Sequence, residues 1–377
     1  MNVQTPIALL GGISPELFMA KFWQKKPLII RAAVPGMQPL VGRDDLFAMA
    51  ANEAVESRLV EQKNGQWTFA HGPFAKTPPL KRADWTLLVQ GVDLHHDGVH
   101  DLLKQFRFVP DARLDDLMIS YASLGGGVGP HFDSYDVFLL QAAGRRRWRI
   151  GAQKDLSLRD DVPLKILANF KPTQEFDLEP GDMLYLPPRY AHDGVALDND
   201  CQTYSIGFRA PSTEELAREL MHRVADEIED ESLYADRAQA ATAQPAAIPA
   251  QLQNFAQQAV AKALQDGTLM QQILGEYLTE PKHNVWFEAA KPKSPKAASG
   301  KSKPLGAVRL HRASRMMYDA KHVYLNGDSW KVAGKDAKLL RALADQRALP
   351  AGVVAAASVQ LQAALVQFIE QGWLHHD

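Results

Sequence analysis

The residues best equipped for chemistry are His131 and Asp133, separated only by Phe132, and a second histidine, His192, that follows a Gly-Asp turn and a diproline break. Two imidazoles and one carboxylate are the donor set of a facial triad, which holds a borderline metal such as Fe(II) and leaves coordination positions open. Open positions are what activation of dioxygen beside a chelating cosubstrate requires, so the chemistry implied is oxygenation. In an extended strand, side chains two apart point the same way, and His131 and Asp133 are expected to project from one sheet face with Phe132 turned away. A lone His-x-Asp is a weak signal, and its context is what strengthens it. His131 ends the loop Gly125-Gly126-Gly127-Val128-Gly129-Pro130 and opens a strand over 136–141, while His192 follows an apolar strand over 183–186. The inert alternative makes His192 a satisfied loop histidine and Asp133 a turn residue.

A strand carrying two ligands and a later strand carrying the third is the pattern of a double-stranded β-helix. Its second signature is the run Gly144-Arg145-Arg146-Arg147-Trp148-Arg149-Ile150-Gly151. Alternation puts Arg146, Trp148 and Ile150 on one face and Arg145, Arg147 and Arg149 on the other. A guanidinium among apolar side chains needs an anion, and Arg146 suits a cosubstrate carboxylate through two parallel hydrogen bonds. The other three arginines read as a solvated basic edge strand or a patch for a nucleic-acid backbone. The glycine loop lacks the Lys-Ser or Lys-Thr of a phosphate cradle and leads into a strand, so its expected use is close backbone approach near the metal.

Taken together, the loop ending in His131-Phe132-Asp133, the arginine run, Pro180-Gly181-Asp182 through His192 and Tyr204-Ser205-Ile206-Gly207-Phe208 resemble the bacterial ribosomal oxygenases, which are cupin proteins of the JmjC type. Phe22-Trp23-Gln24-Lys25-Lys26-Pro27-Leu28 is similar to the family's opening segment. The resemblance implies a hydroxylase that uses Fe(II), 2-oxoglutarate and dioxygen on a ribosomal protein, and for the bacterial branch β-hydroxylation (3-hydroxylation) of an arginine in a large-subunit protein, ribosomal protein sixteen. Carried across by motif, the metal ligands fall on His131, Asp133 and His192, and the residue gripping the distal carboxylate of 2-oxoglutarate falls on Arg146. Where related asparaginyl hydroxylases have a threonine three residues before the first histidine, this chain has Val128.

An arginine target demands an acidic anchor, because burying a guanidinium without a partner is costly. Asp116 is the candidate: Asp116, Met118, Ser120 and Ala122 alternate with Leu117, Ile119 and Tyr121, which leaves one carboxylate on the more polar face of a strand. The competing reading is a solvated strand-end acid. Ser205 is a second pocket candidate, against an outward-facing serine.

The chain has 377 residues, 46% hydrophobic, with a net charge of −2, which suits several domains rather than one core. A single cysteine, Cys201, offers neither an internal disulfide nor a thiolate cluster for zinc and points to a reducing compartment. Without a signal-peptide pattern or an apolar stretch of spanning length, a cytoplasmic protein is expected. The fold expected is α+β: a JmjC/cupin oxygenase domain over 1–210, a helical dimerisation region over 211–288, a lysine-rich linker over 289–305 and a winged-helix-like domain over 306–377. Ser212 and Glu215 read as a capping box, and apolar residues at helical spacing, among them Leu216, Leu252 and Ile273, predict three helices sharing a small core. Family likeness makes that region the seat of a homodimer. Beyond the linker, Asn326-Gly327 marks a hairpin, and two helices follow. Lys335, Lys338 and Arg341 are the cluster of basic residues on them, so nucleic-acid contact is expected to be weak at most. Two other classes compete with the hydroxylase, a non-oxidative metal cupin and a nucleic-acid-binding module on a structural core, and within the oxygenase class the target could instead be another residue such as histidine or lysine.

Overall fold

The computed structural model describes residues 2–289 and 305–376. It divides into two compact units, Met1–Ala210 and Pro211–Asp377, and each is taken by itself. The lysine-rich segment expected between 289 and 305 falls almost wholly outside the described residues.

The first unit is built on β1 (Leu28–Ile30), β2 (Ser57–Lys63), β3 (Gln66–His71), β4 (Trp85–Val89), β5 (Leu114–Ala122), β6 (Val137–Ala143), β7 (Arg146–Gly151), β8 (Gln174–Leu178), β9 (Met183–Leu186), β10 (Ala191–Ala196) and β11 (Cys201–Phe208). They form an antiparallel sheet of eight strands, in the order β1-β9-β6-β11-β5-β4-β2-β3, and one of three, β10-β7-β8. The two faces of the larger sheet have different occupants. Leu117, Ile119, Tyr121, Phe138, Leu140, Tyr185, Tyr204 and Ile206 face the helices α1 (Pro15–Lys21), α2 (Arg43–Ala50) and α3 (Asp97–Lys104), which add Phe18, Leu46, Leu102 and Leu103 to one core. The alternate residues Val137, Leu139, Leu184 and Leu186 pack with Trp148, Ile150 and Leu178 of the smaller sheet. Burial on both faces explains why β6 and β9 read as unbroken apolar runs, whereas β5 and β11 carry polar residues on the face that looks into the barrel. The double-stranded β-helix is thus as expected, and Ser14 caps α1 by accepting from the Leu17 amide at 3.2 Å.

In the second unit, α4 (Thr213–Asp226) opens with the expected capping box, followed by α5 (Ala250–Ala263) and α6 (Gly267–Thr279). The shared core expected of these three helices is not formed. α5 buries none of its residues, and α6 turns its small residues toward a hairpin instead: the Tyr324 ring occupies the space a side chain at Gly275 would need. Periodicity identifies an apolar helical face but not its partner. The hairpin is the one marked by Asn326-Gly327, with both residues at positive φ (53° and 95°) between β14 (His322–Leu325) and β15 (Asp328–Lys331). These two strands, with β13 (Met316–Tyr318), form one small sheet, and β12 (Val308–Leu310), β16 (Ala348–Leu349) and β17 (Leu374–His376) form another. Helices α7 (Gly334–Gln346), α8 (Ala351–Ala355) and α9 (Val359–Glu370) close a core of Leu310, Val323, Leu325, Leu343, Leu361, Leu365 and Phe368. Short α8 lacks the length to announce itself by periodicity. Among the described residues, no helix is long and apolar enough to cross a membrane.

Candidate active site

His131, Asp133 and His192 converge, with one potential ligand atom from each lying within 4.8 Å of the others. A single antiparallel bridge brings the histidines together: His131 N donates to His192 O at 2.9 Å and His192 N to His131 O at 2.8 Å. The strand expected to run through His131 and Asp133 does not. β6 begins only at Val137, and His131 meets His192 in an isolated bridge outside the named strands. Asp133 is held instead by its carbonyl, which accepts from Arg189 N at 2.7 Å.

Each imidazole is oriented by its backbone. His131 Nδ1 lies 2.8 Å from Gly129 O and His192 Nδ1 2.9 Å from Tyr190 O. A proton on Nδ1 donated to those carbonyls leaves each Nε2 lone pair for a metal, the arrangement by which outer hydrogen bonds set a ligand's tautomer. Burial, reinforced by neighbouring His131 and opposed by Asp133, pushes the pKa of His192 down to about 4. It is therefore neutral at physiological pH, as a metal ligand must be.

The register of β7 against β10 places Ile150 opposite His192, Trp148 opposite Gly194 and Arg146 opposite Ala196. Arg146 therefore lies on the face that carries His192, several residues farther along. Only 4% of it is exposed; Nη1 donates to Gly194 O at 3.2 Å, while Nε and Nη2 are buried with no acceptor among the described residues. Two orphaned donors on a buried cation are costly, and a carboxylate aligned with that edge satisfies both. The indole of Trp148 lies over Gly194, where a Cβ would stand 2.7 Å from the ring, and its Nε1 is also buried without an acceptor. The glycine loop comes close to the same strand: a Cβ at Gly127 would lie 2.6 Å from Gly194 O.

The other three arginines carry no free basic patch. Arg145 pairs with Asp198 at 3.1 Å, Arg147 with Asp177 at 2.9 Å and Arg149 with Asp193. β7 is also the central strand of its sheet rather than an edge. The basic run is a set of ion pairs to flanking acids.

Asp116 and Ser205 also look into the barrel. Ser205 pairs with Met118 across β5 and β11 and with Leu139 of β6, and Asp116, 3% exposed, is one pleat from Met118. A Cβ at Gly207 would lie 3.7 Å from Asp116 Oδ1 and 4.0 Å from Tyr135 Cε2. This glycine thus floors a slot between a carboxylate and an aromatic ring. Tyr135 keeps part of its ring open to solvent, 39% of the residue being exposed. Burial of its hydroxyl, together with the negative charges of Asp133 and Asp116, raises its pKa well above the ordinary tyrosine value. Tyr135 was missed from sequence, although an aromatic two residues after Asp133 was the available signal. Gln90, which donates to Asp116 Oδ2 at 2.7 Å, had no local signal at all.

This donor set fits the group that its chemistry calls for: two imidazoles and a carboxylate for Fe(II), and an orphaned guanidinium for the far end of a dicarboxylate. The JmjC domain family matches residues 101–216 and the ROXA-like winged helix residues 262–375, a span that includes α6. The chain is 34% identical over 342 residues, 89% of each chain, to the ribosomal protein uL16 3-hydroxylase of Escherichia coli. Its structure is similar to that of E. coli YcfD (TM-score 0.85, 32% identity, 96% of this chain and 98% of that one). A further structure shows YcfD, described as a ribosomal oxygenase, in complex with cobalt and 2-oxoglutarate (TM-score 0.80, 32% identity, again 96% and 98% covered). Identity at this level over nearly the whole length, on the same fold and around the same kind of site, makes this chain a member of the ribosomal oxygenases, the JmjC-type hydroxylases that use 2-oxoglutarate.

Proposed function

We propose that the chain hydroxylates C3, the β-carbon, of an arginine in the large-subunit ribosomal protein uL16. The observation that carries the choice of arginine is the slot formed by Asp116, Gly207 and Tyr135, which combines a buried carboxylate with an aromatic wall and no side chain on its floor. Bound by His131, Asp133 and His192, Fe(II) supplies activation of dioxygen coupled to decarboxylation of 2-oxoglutarate, giving succinate, carbon dioxide and one oxygen inserted into a C–H bond. Arg146 receives the distal carboxylate of the cosubstrate. Asp116 takes the substrate guanidinium, Tyr135 packs along its stem, and Ser205 borders the same face. Selectivity then follows from placement, because misplacing the target carbon by about an ångström sacrifices most of the rate.

The chain acts as a homodimer in the cytoplasm, where its substrate is made, with residues 211–288 supplying the dimer contact. Exposed Leu252, Val260 and Leu264 on or beside α5 support this, since an amphipathic helix with no buried residue in its own chain lacks only a partner. Nucleic acid plays at most a minor part: Lys335 and Arg341 donate to carbonyls of their own module, Ala356 O, Asp319 O and Ala320 O.

The test is the intact mass of uL16 after anaerobic loading of enzyme with Fe(II) and 2-oxoglutarate and then air. One added oxygen is expected, placed on arginine by fragmentation and absent with His131→Ala. Asp116→Ala is expected to abolish it while preserving metal binding. Succinate without a mass gain would reject uL16 as substrate, and hydroxylation on histidine would reject the guanidinium slot.

A further inference from the structure

Behind the slot, three side chains form a chain of hydrogen bonds. Arg58 of β2 donates through Nη2 to Gln90 Oε1 at 2.7 Å, and Gln90 donates through Nε2 to Asp116 Oδ2 at 2.7 Å. The Gln90 amide therefore has one allowed orientation, because a flip would set N–H groups against a guanidinium and an oxygen against a carboxylate. Its backbone is held as well. Gln90 N donates to Glu56 O at 2.9 Å, and Gly91 turns the chain at φ 61°.

Arg58 is close to the slot itself. Its Nη2 lies 3.7 Å from Met118 Sδ, on the same face of β5 as Asp116, and its Nε is buried without a hydrogen bond, 3.8 Å from Glu56 Oε1. A guanidinium this near a buried carboxylate forms a bidentate pair unless something stands between them. Such a pair would put the protein's own arginine in the place of the substrate's.

On the reading of Asp116 as the guanidinium anchor, we propose that Gln90 is a positioning residue with two duties. It holds Asp116 through Oδ2, so that Oδ1 faces Gly207 and the slot, and it keeps Arg58 off the anchor by giving that cation an oxygen of its own. The neutral amide is what allows both. A carboxylate at position 90 would repel Asp116, and an apolar side chain would release Arg58.

The test is calorimetric titration of an arginine-containing uL16 peptide into enzyme loaded anaerobically with Mn(II) and 2-oxoglutarate, repeated with Gln90→Ala, Gln90→Glu, Arg58→Met, the double variant Gln90→Ala/Arg58→Met, and Asp116→Ala. Gln90→Ala is expected to weaken peptide binding roughly tenfold or more, the scale of one hydrogen bond to a charged group, with the Kd for 2-oxoglutarate unchanged. The double variant is expected to recover the share of that loss caused by a released Arg58, a rescue that a merely structural role would not produce, and Arg58→Met alone is expected to bind nearly as the parent does. Unchanged binding by Gln90→Ala and Gln90→Glu, or no recovery in the double variant, overturns the proposal. If Asp116→Ala also leaves peptide binding unchanged, the anchor reading falls; if it weakens binding while both Gln90 variants do not, only the role of Gln90 falls.

Discussion

Arg146 is the most heavily constrained single residue in the site. It is a buried cation with one backbone acceptor and, among the described residues, two donors left over, which an anionic ligand would satisfy. Arg146→Met removes both the charge and the unsatisfied donors. The expected outcome is a rise of roughly 10- to 100-fold in the Kd for 2-oxoglutarate, corresponding to about 1.5–3 kcal/mol for hydrogen bonds to a charged group, with Mn(II) affinity and thermal stability preserved. Calorimetry of cosubstrate binding with metal present checks this. A large fall in stability with unchanged cosubstrate affinity would mean that Arg146 is a packing residue.

At the scale of elements, the informative case is α6. Its periodicity matched a helix in a three-helix core, but its glycine decides its neighbour. Tyr324 of β14 is buried and its ring occupies the position of a Gly275 side chain, while Ser329 Oγ donates to Glu276 at 2.5 Å and Gly327 N to Thr279 Oγ1 at 3.2 Å. Gly275→Ala would improve an isolated helix, yet it is expected to destabilise the second unit by about 1–3 kcal/mol, the usual cost of overpacking a tight contact. Chemical denaturation of the second unit measures it. A neutral or stabilising effect would show that α6 is loosely held.

At the scale of the whole molecule, the open question is what covers α5. Leu252, Val260 and Leu264 are exposed at positions that a helix in a finished core would bury. If the proposed dimer forms through α5, replacing all three with glutamine is expected to yield a monomer in sedimentation equilibrium, without loss of 2-oxoglutarate binding, because the catalytic unit builds its own core. A dimer that survives the triple substitution would place the interface elsewhere.

Much of this protein was legible from its residues because its signals are local. His-x-Asp, the Pro-Gly-Asp turn before His192, the arginine alternation of β7 and the Asn-Gly hairpin are each written within a dozen or so residues, and backbone sterics and period-two pleating decide them with little help from distant parts of the chain. They carried the fold class, the three side chains His131, Asp133 and His192 that converge in the structure, and the inward face of Arg146. Other features depend on partners brought in from far away. That Asp133 sits in a loop held by Arg189 N, that Arg146 keeps two empty donors, that Gln90 stands between Arg58 and Asp116, and that α6 packs on Tyr324 rather than α5 all depend on segments separated by tens of residues. A sequence states which faces are apolar and which side chains are charged. Which of them meet is settled only when whole sheets close on one another, since the energy that chooses among partners comes from packing and desolvation at contacts that do not exist until the chain is folded.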